Sequence, residues 1–327
     1  MSKSTNIAHS CAITALSLLL AGCSPRVATS FWRIGTPSDS TRAGYTVIHA
    51  EGKTRHCYPI TEWMDDPAVD TYHQLHHHGV AVESELMAYR IYFDKKQTID
   101  PYCKRTPRLE LAQSYWYPND SLLAAGYGDD VLRVSGTVGV GSVKYWNGRK
   151  HGHIEPVAQR SQRIVSQTRN KATIEVAVKG WQVEEHSVEM ATNYTMRAGH
   201  RDMRCDVSLS EPVEGLCTGV QTIPAKGGKD TVTIILSNGV LLASWGTDWP
   251  VNDSVKYAKE TVGLGVFIPK AYAGNLVHDK SNNLCLLKGT SPHFYLTCCG
   301  ATKENHPVAT SATEWYNYLL KWAKGLK

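Results

Sequence analysis

A chain of 327 residues with a formal charge of +5 is long enough for one large domain or two smaller ones, and its basic excess is too slight to demand an acidic partner. Lysine and arginine are dispersed rather than gathered into a stripe, which argues against nucleic acid. No phosphate-cradling loop, dinucleotide fingerprint or Gly-x-Ser-x-Gly elbow occurs, and no cofactor is implied.

The chain opens with a polar stretch, Met1 to Ser10, whose only charge is Lys3, followed by an apolar run from Cys11 to Leu20. About ten apolar residues cannot cross a ~30 Å hydrocarbon core as a lasting helix, so the run reads as a signal peptide. Leu20-Ala21-Gly22-Cys23 has the order of a lipobox, with two small residues before a thiol that accepts diacylglycerol. The expectation is a lipoprotein signal peptide over 1–22, lipidation of Cys23, and export to a bacterial membrane, facing the periplasm or the cell surface. Losing Lys3 lowers the formal charge from +5 to +4. Residues 23–44, rich in Ser, Thr, Pro and Arg, read as a tether. Residues 45–327 are then a single folded domain.

Strand-like alternation dominates that domain. In 88–93, Tyr89, Ile91 and Phe93 share one side and Arg90 and Tyr92 the other. Residues 131–143 alternate around several glycines, as in a long strand with a bulge. The stretches 173–178, 188–196, 203–209, 284–287 and 294–298 also read as strands, and 231–236 and 240–245 flank Asn238-Gly239, a strong hairpin signal. One helix stands out over 311–325. Ser311 and Glu314 form a capping box there, and Trp315, Tyr318, Leu319 and Trp322 recur at helical spacing. About ten or more strands with short polar turns predict a large antiparallel β-sandwich with a C-terminal helix. Seven cysteines follow Cys23, an odd number with no Cys-x-x-Cys pair, and most are expected to be buried thiols on strands, with one or two bridges.

Three clusters carry candidate chemistry. In the first, Tyr72-His73-Gln74-Leu75-His76-His77-His78-Gly79 precedes Glu83, Glu85 and Arg90. In an extended chain adjacent histidines face opposite ways, so at most two of His76, His77 and His78 could share a metal ion. The alternatives are acid–base work by one histidine tuned by Glu83 or Glu85, and a loop of histidines hydrogen-bonded to backbone. The second, Gly199-His200-Arg201-Asp202, is a turn that sets an imidazole beside a guanidinium able to grip a carboxylate; local pairing of Arg201 with Asp202 is the plainer alternative. The third runs from Ser244 to Tyr257 and includes Trp245, Asp248, Trp249, Asn252, Asp253, Lys256 and Tyr257. Flat rings flanked by Asp and Asn suit a sugar, with apolar contact beneath and hydrogen bonds at the edge. Tyr115-Trp116-Tyr117 has a similar make-up. Tryptophans filling the sandwich edge are the structural alternative.

Several runs together resemble the bacterial family called domain of unknown function 4861. They are His77-His78-Gly79 with Glu83-Ser84-Glu85, Ala88 to Asp94, Gln97 to Tyr102, Gly128 to Leu132, Gly199 to Asp202, Cys217 to Gln221 and Ser244 to Asp248. The resemblance runs from about Tyr72 to Tyr272. It implies an exported protein associated with glycan utilisation, often of pectic or other uronate-containing polysaccharides, and a mutarotase-like β-supersandwich. Members are longer at the amino terminus, so part of a first sheet is expected to be missing or reshaped here. Cys103 stands where the family pattern has glycine, which predicts strain at a turn that prefers positive φ.

These readings converge on an exported lipoprotein acting on acidic oligosaccharides as a lyase or hydrolase. His78 or His200 would move a proton, Arg90 or Arg201 would neutralise the uronate, and Glu85 or Asp248 would assist. Trp116, Tyr117, Trp245, Trp249, Asp253 and Tyr257 would hold the sugar. A non-catalytic carbohydrate-binding lipoprotein and a sugar mutarotase or isomerase are the alternatives. All three need the clusters to meet on one concave face.

Overall fold

The computed structural model describes residues 25–35, 46–50, 53–65, 70–225, 228–229 and 231–326. Cys23 and the signal-peptide reading lie outside them.

The long sheet has nine antiparallel strands. In spatial order they are Thr231–Leu236, Gly239–Asp248, Glu260–Pro269, His293–Gly300, Met203–Leu209, His186–Arg197, Lys171–Val183, Gln159–Gln167 and Glu62–Met64. A five-stranded amino-terminal sheet joins Val27–Ser30, Ala81–Ser84, Met87–Ile91, Ile99–Cys103 and Asp129–Asp130. A second five-stranded sheet joins His151–Gly152, Lys144–Trp146, Leu216–Gln221, Asn282–Leu287 and Ala273–His278. The fold is thus mainly antiparallel β with a C-terminal helix, as the alternation predicts.

Burial follows the period of two in His186–Arg197 and Met203–Leu209, whereas Ala81–Ser84, Met87–Ile91 and Ile99–Cys103 are buried on both faces. Val82, Met87, Tyr89 and Ile91 of the amino-terminal sheet and Ile174, Val176, Tyr194, Met203 and Cys205 of the long sheet belong to one buried cluster. At the other end of the long sheet both faces are covered, and the alternation is lost from the sequence. Val240 and Leu242 join that core, whereas Leu241, Ala243 and Trp245 lie in a second cluster with the helix residues Trp315, Leu319 and Ala323. The helix spans Ala312–Lys324, with Ser311 as its cap accepting from the Glu314 amide. Only half of the capping box forms, because the Glu314 carboxylate takes the Thr310 amide at 2.7 Å and its hydroxyl at 2.8 Å. Gly263 and Gly265 let the helix lie close: a Cβ at either would sit 2.7 Å from Trp315 or 2.5 Å from Leu319.

Four expectations are corrected. Residues 23–44 are not a continuous tether, since Val27–Ser30 pairs with Ala81–Ser84 and Trp32–Ile34 with the strand Lys53–Pro59, burying Val27 and Phe31. Residues 131–143 form no strand: Ser135, Gly139 and Gly141 take positive φ, and the segment is buried as irregular chain with isolated bridges at Gly139 and Val140. The 231–248 hairpin exists, but Leu236 pairs with Gly239, so its loop is Ser237-Asn238, and neither Asn238 nor Gly239 has positive φ. Asn238 instead donates its amide to the Ala323 and Leu326 carbonyls, holding the helix end. Cys103 is a buried strand residue paired with Met87, with ordinary φ, so no strained turn results. The seven described cysteines are all buried thiols, and none is bridged to another described residue.

Candidate functional site

The outer face of the amino-terminal sheet brings together residues that alternate away from the core. Arg90 and Asp100 are direct cross-strand partners, as are Tyr102 and Asp130. Arg90 is 1% exposed and its Nη2 donates to Asp100 Oδ2 at 2.5 Å and to Asp130 Oδ2 at 2.7 Å. Its Nη1 donates to the Trp116 carbonyl at 2.8 Å, and the Tyr92 hydroxyl donates to Asp100 at 2.5 Å.

This face is roofed by the segment 104–127, which is fastened from below. The Glu83 carboxylate accepts the amides of Glu110 and Leu111 at 2.8 and 3.1 Å and the buried Lys104 ammonium at 2.5 Å. The histidine run supplies the other fastenings. It is a short helical turn rather than an extended chain, with His77 and His78 at φ 56° and 60°, so the expected alternation of imidazoles does not occur. Gly79 then takes φ 153°, and a Cβ there would lie 2.1 Å from the Ile91 carbonyl oxygen. His76 Nε2 bonds the Ser114 carbonyl and His77 Nε2 the Leu111 carbonyl at 2.9 Å. These two imidazoles are therefore structural. Among the described residues no group of three or more His, Cys, Asp or Glu side chains is placed to hold a metal ion.

His78 differs. Its Nδ1 lies 3.1 Å from the Tyr72 carbonyl, which only accepts, so Nδ1 carries the hydrogen and Nε2 keeps a lone pair. Its ring is stacked between Tyr72, at 4.0 Å between centroids, and Trp116, at 4.6 Å. Tyr72, Trp116 and Tyr117 are half-buried, so the edges of this stack are partly open, while the Trp116 indole is covered by His78 and also by Tyr115 at 4.6 Å. Burial pushes the His78 imidazole down to about 3 and that of His76 to about 4, so both are neutral at pH 7. A base that weak accepts hydrogen bonds but does not carry a proton near neutrality.

The group suited to proton transfer is Asp130. Burial, and then the Asp100 charge across the same guanidinium, raise its carboxyl to about 7. Burial raises Asp100 as well, against the pull of Arg90. Two carboxylates around one guanidinium leave a net negative charge in a dry site, and a bound proton removes it. Tyr72 opens the first of the three clusters, whereas Asp100, Asp130 and Tyr92 are absent from the sequence-derived candidates. Their signal was present, since Asp100 and Asp130 lie in two of the runs that carry the family resemblance.

The other candidates lie apart from this face. Glu85 accepts the Arg26 amide at 2.9 Å. His200 is exposed and contacts Asp202 at 3.0 Å, while its carbonyl accepts from the Ser84 hydroxyl. Arg201 is buried and spent on Glu304, through both terminal nitrogens, and on the Cys298 carbonyl, not on Asp202. A cavity of about 90 Å³ lies between Glu85, Lys104, Arg201, Glu304 and His306. Asp248 pairs with Arg133 at 2.9 Å, and Asn252 bonds the same guanidinium. Trp245 packs under the C-terminal helix at 8% exposure, which removes it from the sugar-binding candidates. Trp249 lies beneath the Lys259 ammonium, 4.1 Å from its ring centroid. Asp253 caps a turn through the Val255 and Lys256 amides, and the Lys256 ammonium lies over the Tyr257 ring. His78, His200 and Asp248 share no hydrogen-bond, ion-pair or ring partner among the described residues. Arg90, His78, Trp116 and Tyr117 do meet: Arg90 donates to the Trp116 carbonyl and lies over the Tyr117 ring, and His78 stacks on Trp116.

A half-open ring stack over a buried guanidinium–carboxylate group, carried on an antiparallel β-sandwich, defines the molecule. Over residues 39–327 the sequence matches the family model described as Domain of unknown function (DUF4861), and the chain belongs to that family. The match extends well beyond the Tyr72–Tyr272 stretch in both directions. No curated protein matches the chain.

Proposed function

We propose that this chain is an exported protein, anchored through a lipid on Cys23, that acts on acidic oligosaccharides as a lyase or hydrolase. Its site is the outer face of the amino-terminal sheet. The observation that carries the reading is a buried carboxyl, Asp130, that shares the Arg90 guanidinium with Asp100 beside a half-open stack of Tyr72, His78 and Trp116, and that burial pushes up to about 7. Half-open aromatic edges suit apolar contact with a sugar, and a carboxyl raised by burial suits general acid–base catalysis. In this reading Asp130, with Asp100 and Tyr92, moves the proton, and the His78 Nε2 lone pair accepts a sugar hydroxyl. Trp116 and Tyr117 form the platform. Arg90 holds the catalytic carboxyls instead of gripping the substrate.

The test is turnover of pectic and glucuronate-containing oligosaccharides, followed by reducing ends for hydrolysis and by the absorbance of unsaturated uronates for elimination. Asp130→Asn is expected to lose about a hundredfold or more in kcat, the usual worth of one acid–base group. Trp116→Ala is expected to raise KM. Wild-type turnover in both variants would sink the assignment. Cys23→Ser is expected to abolish metabolic labelling by fatty acid.

The second reading is a non-catalytic carbohydrate-binding lipoprotein. It is favoured by one observation: the guanidiniums of Arg90 and Arg201 are both committed to internal carboxylates. Calorimetric binding that is lost in Trp116→Ala, with no product formed, would select it.

A further inference from the structure

With Arg90 and Arg201 committed, an acidic ligand needs another cation. A third guanidinium has an unpartnered terminal nitrogen, which those two lack, Arg90 leaving only its Nε without a partner. Arg160, on the strand Gln159–Gln167, is 4% exposed and donates Nη2 to the Ile154 carbonyl at 2.9 Å, yet its buried Nη1 has no hydrogen-bond partner among the described residues. Two neighbouring side-chain nitrogens also lack a partner: the donor Nε2 of Gln97, on a residue 4% exposed and held at φ 46°, and Nδ1 of His153, which donates in the Nδ1–H tautomer. Buried polar groups are almost always satisfied, so orphaned donors in adjoining segments ask for an acceptor.

The segments that carry them are tied together. Ile154 joins Arg160 to His153. The fully buried Lys144 donates Nζ to the Lys96 carbonyl and to Thr98 Oγ1 at 3.2 Å, on either side of Gln97. Glu155 pairs with Lys95 at 3.2 Å, closing the 153–155 segment on the 94–98 turn. The nearby carboxylates are already engaged. Asp94 accepts the amides of Lys96 and Gln97 at 2.8 and 3.1 Å, and Glu155 holds Lys95. Burial pushes the Lys144 ammonium down to about 7, and it has no hydrogen-bonded carboxylate. Lys96 also faces Asp94 at 3.6 Å, and Asp65, a third carboxylate that acts on Arg160, accepts the Thr71 hydroxyl at 3.0 Å, so none of these carboxylates is hydrogen-bonded to the Arg160 guanidinium.

We propose that this end of the sandwich is a subsite for the carboxylate of the ligand, received by Arg160 Nη1 with Gln97 and His153. It rests on the reading of the protein as a binder of acidic sugars. The Asp94 turn links it to the ring stack, since the amide of the preceding residue, Phe93, donates to the His78 carbonyl at 2.8 Å.

The experiment is calorimetry of the full chain with digalacturonate, with the matched neutral disaccharide and with inorganic phosphate. The wild type is expected to prefer the acidic sugar by roughly tenfold or more, the scale of one charge-assisted bond. Arg160→Gln and, separately, Gln97→Leu are expected to erase that preference while leaving neutral-sugar affinity intact. Trp116→Ala should weaken both sugars alike. Equal affinity for acidic and neutral sugar in the wild type overturns the subsite, as does a preference unchanged in both subsite variants. Phosphate binding without uronate preference also overturns it, by assigning the site to a free oxyanion. Trp116→Ala without effect, beside a preference that falls in Arg160→Gln, would instead unseat the ring platform and leave the subsite standing. Gln97→Leu keeps all charges, so it retains the test if Arg160→Gln fails to fold.

Discussion

An imidazole whose Nδ1 hydrogen is claimed by a carbonyl has one function left, the lone pair on Nε2, and His78 is in that state. The pH dependence of stability follows from the same burial. His76 and His78 are protonated near 6.5 in the unfolded chain but only near 4 and 3 in the fold. Between those values the unfolded state binds more protons, so stability is lost as pH falls below 6.5, by up to about 1.4 kcal/mol per pH unit for each histidine. Denaturant midpoints at pH 7.5 and 5 are expected to differ less in His76→Gln than in the wild type. Asp130 has the opposite sign. Its folded carboxyl titrates near 7 against 3.8 unfolded, so its contribution is full in acid and declines as pH rises from 4 to 7. Asp130→Asn is expected to flatten that decline; an unchanged profile would show that the carboxyl is not buried as described. The imidazoles were legible as candidates because four lie within six positions. The carboxyls were not, because a lone aspartate on a strand resembles any surface residue until its cross-strand partner is known. Arg90↔Asp100 is a fact of register, and register depends on turns that composition does not specify.

At the level of elements, the C-terminal helix owes its place to two glycines on the strand beneath it. Trp315 fills the space over Gly263, with its indole nitrogen donating to the Leu264 carbonyl at 3.1 Å. Trp315→Ala is expected to cost about 3–5 kcal/mol, the usual range for a large buried ring, read as a lowered denaturant midpoint. Gly79→Ala should also destabilise, since its Cβ would meet the Ile91 carbonyl and its backbone favours glycine. The helix was legible from spacing and cap, and the strands from period two. The failures share a cause. Residues 131–143 are apolar because they are buried, and burial was read as a strand although glycines at positive φ prevent one. Val27 and Phe31 were too few to register as strand signals within a polar stretch.

For the whole molecule, the described core is held by packing between sheets. No bridge joins two of the seven described cysteines, so the thermal midpoint is expected to be the same with and without dithiothreitol. A fall of several degrees on reduction would reveal a bridge. The extent of the β-sandwich was legible; the meeting of the candidate clusters was not, because which strand ends share a face is decided by the order of strands across the sheets.

The stitching of Val27–Ser30 into the amino-terminal sheet, with the Arg26 amide held by Glu85, bears on how the protein would ride on a bilayer. Only four peptide steps separate Cys23 from Val27, at most ~14 Å of contour in any conformation. A lipid on Cys23 would thus act as a short mooring rather than a long leash. It would hold the corner bearing Glu85 and the His200 turn close to the headgroups, and ligands would have to be delivered to the membrane surface instead of being sought in the space above it.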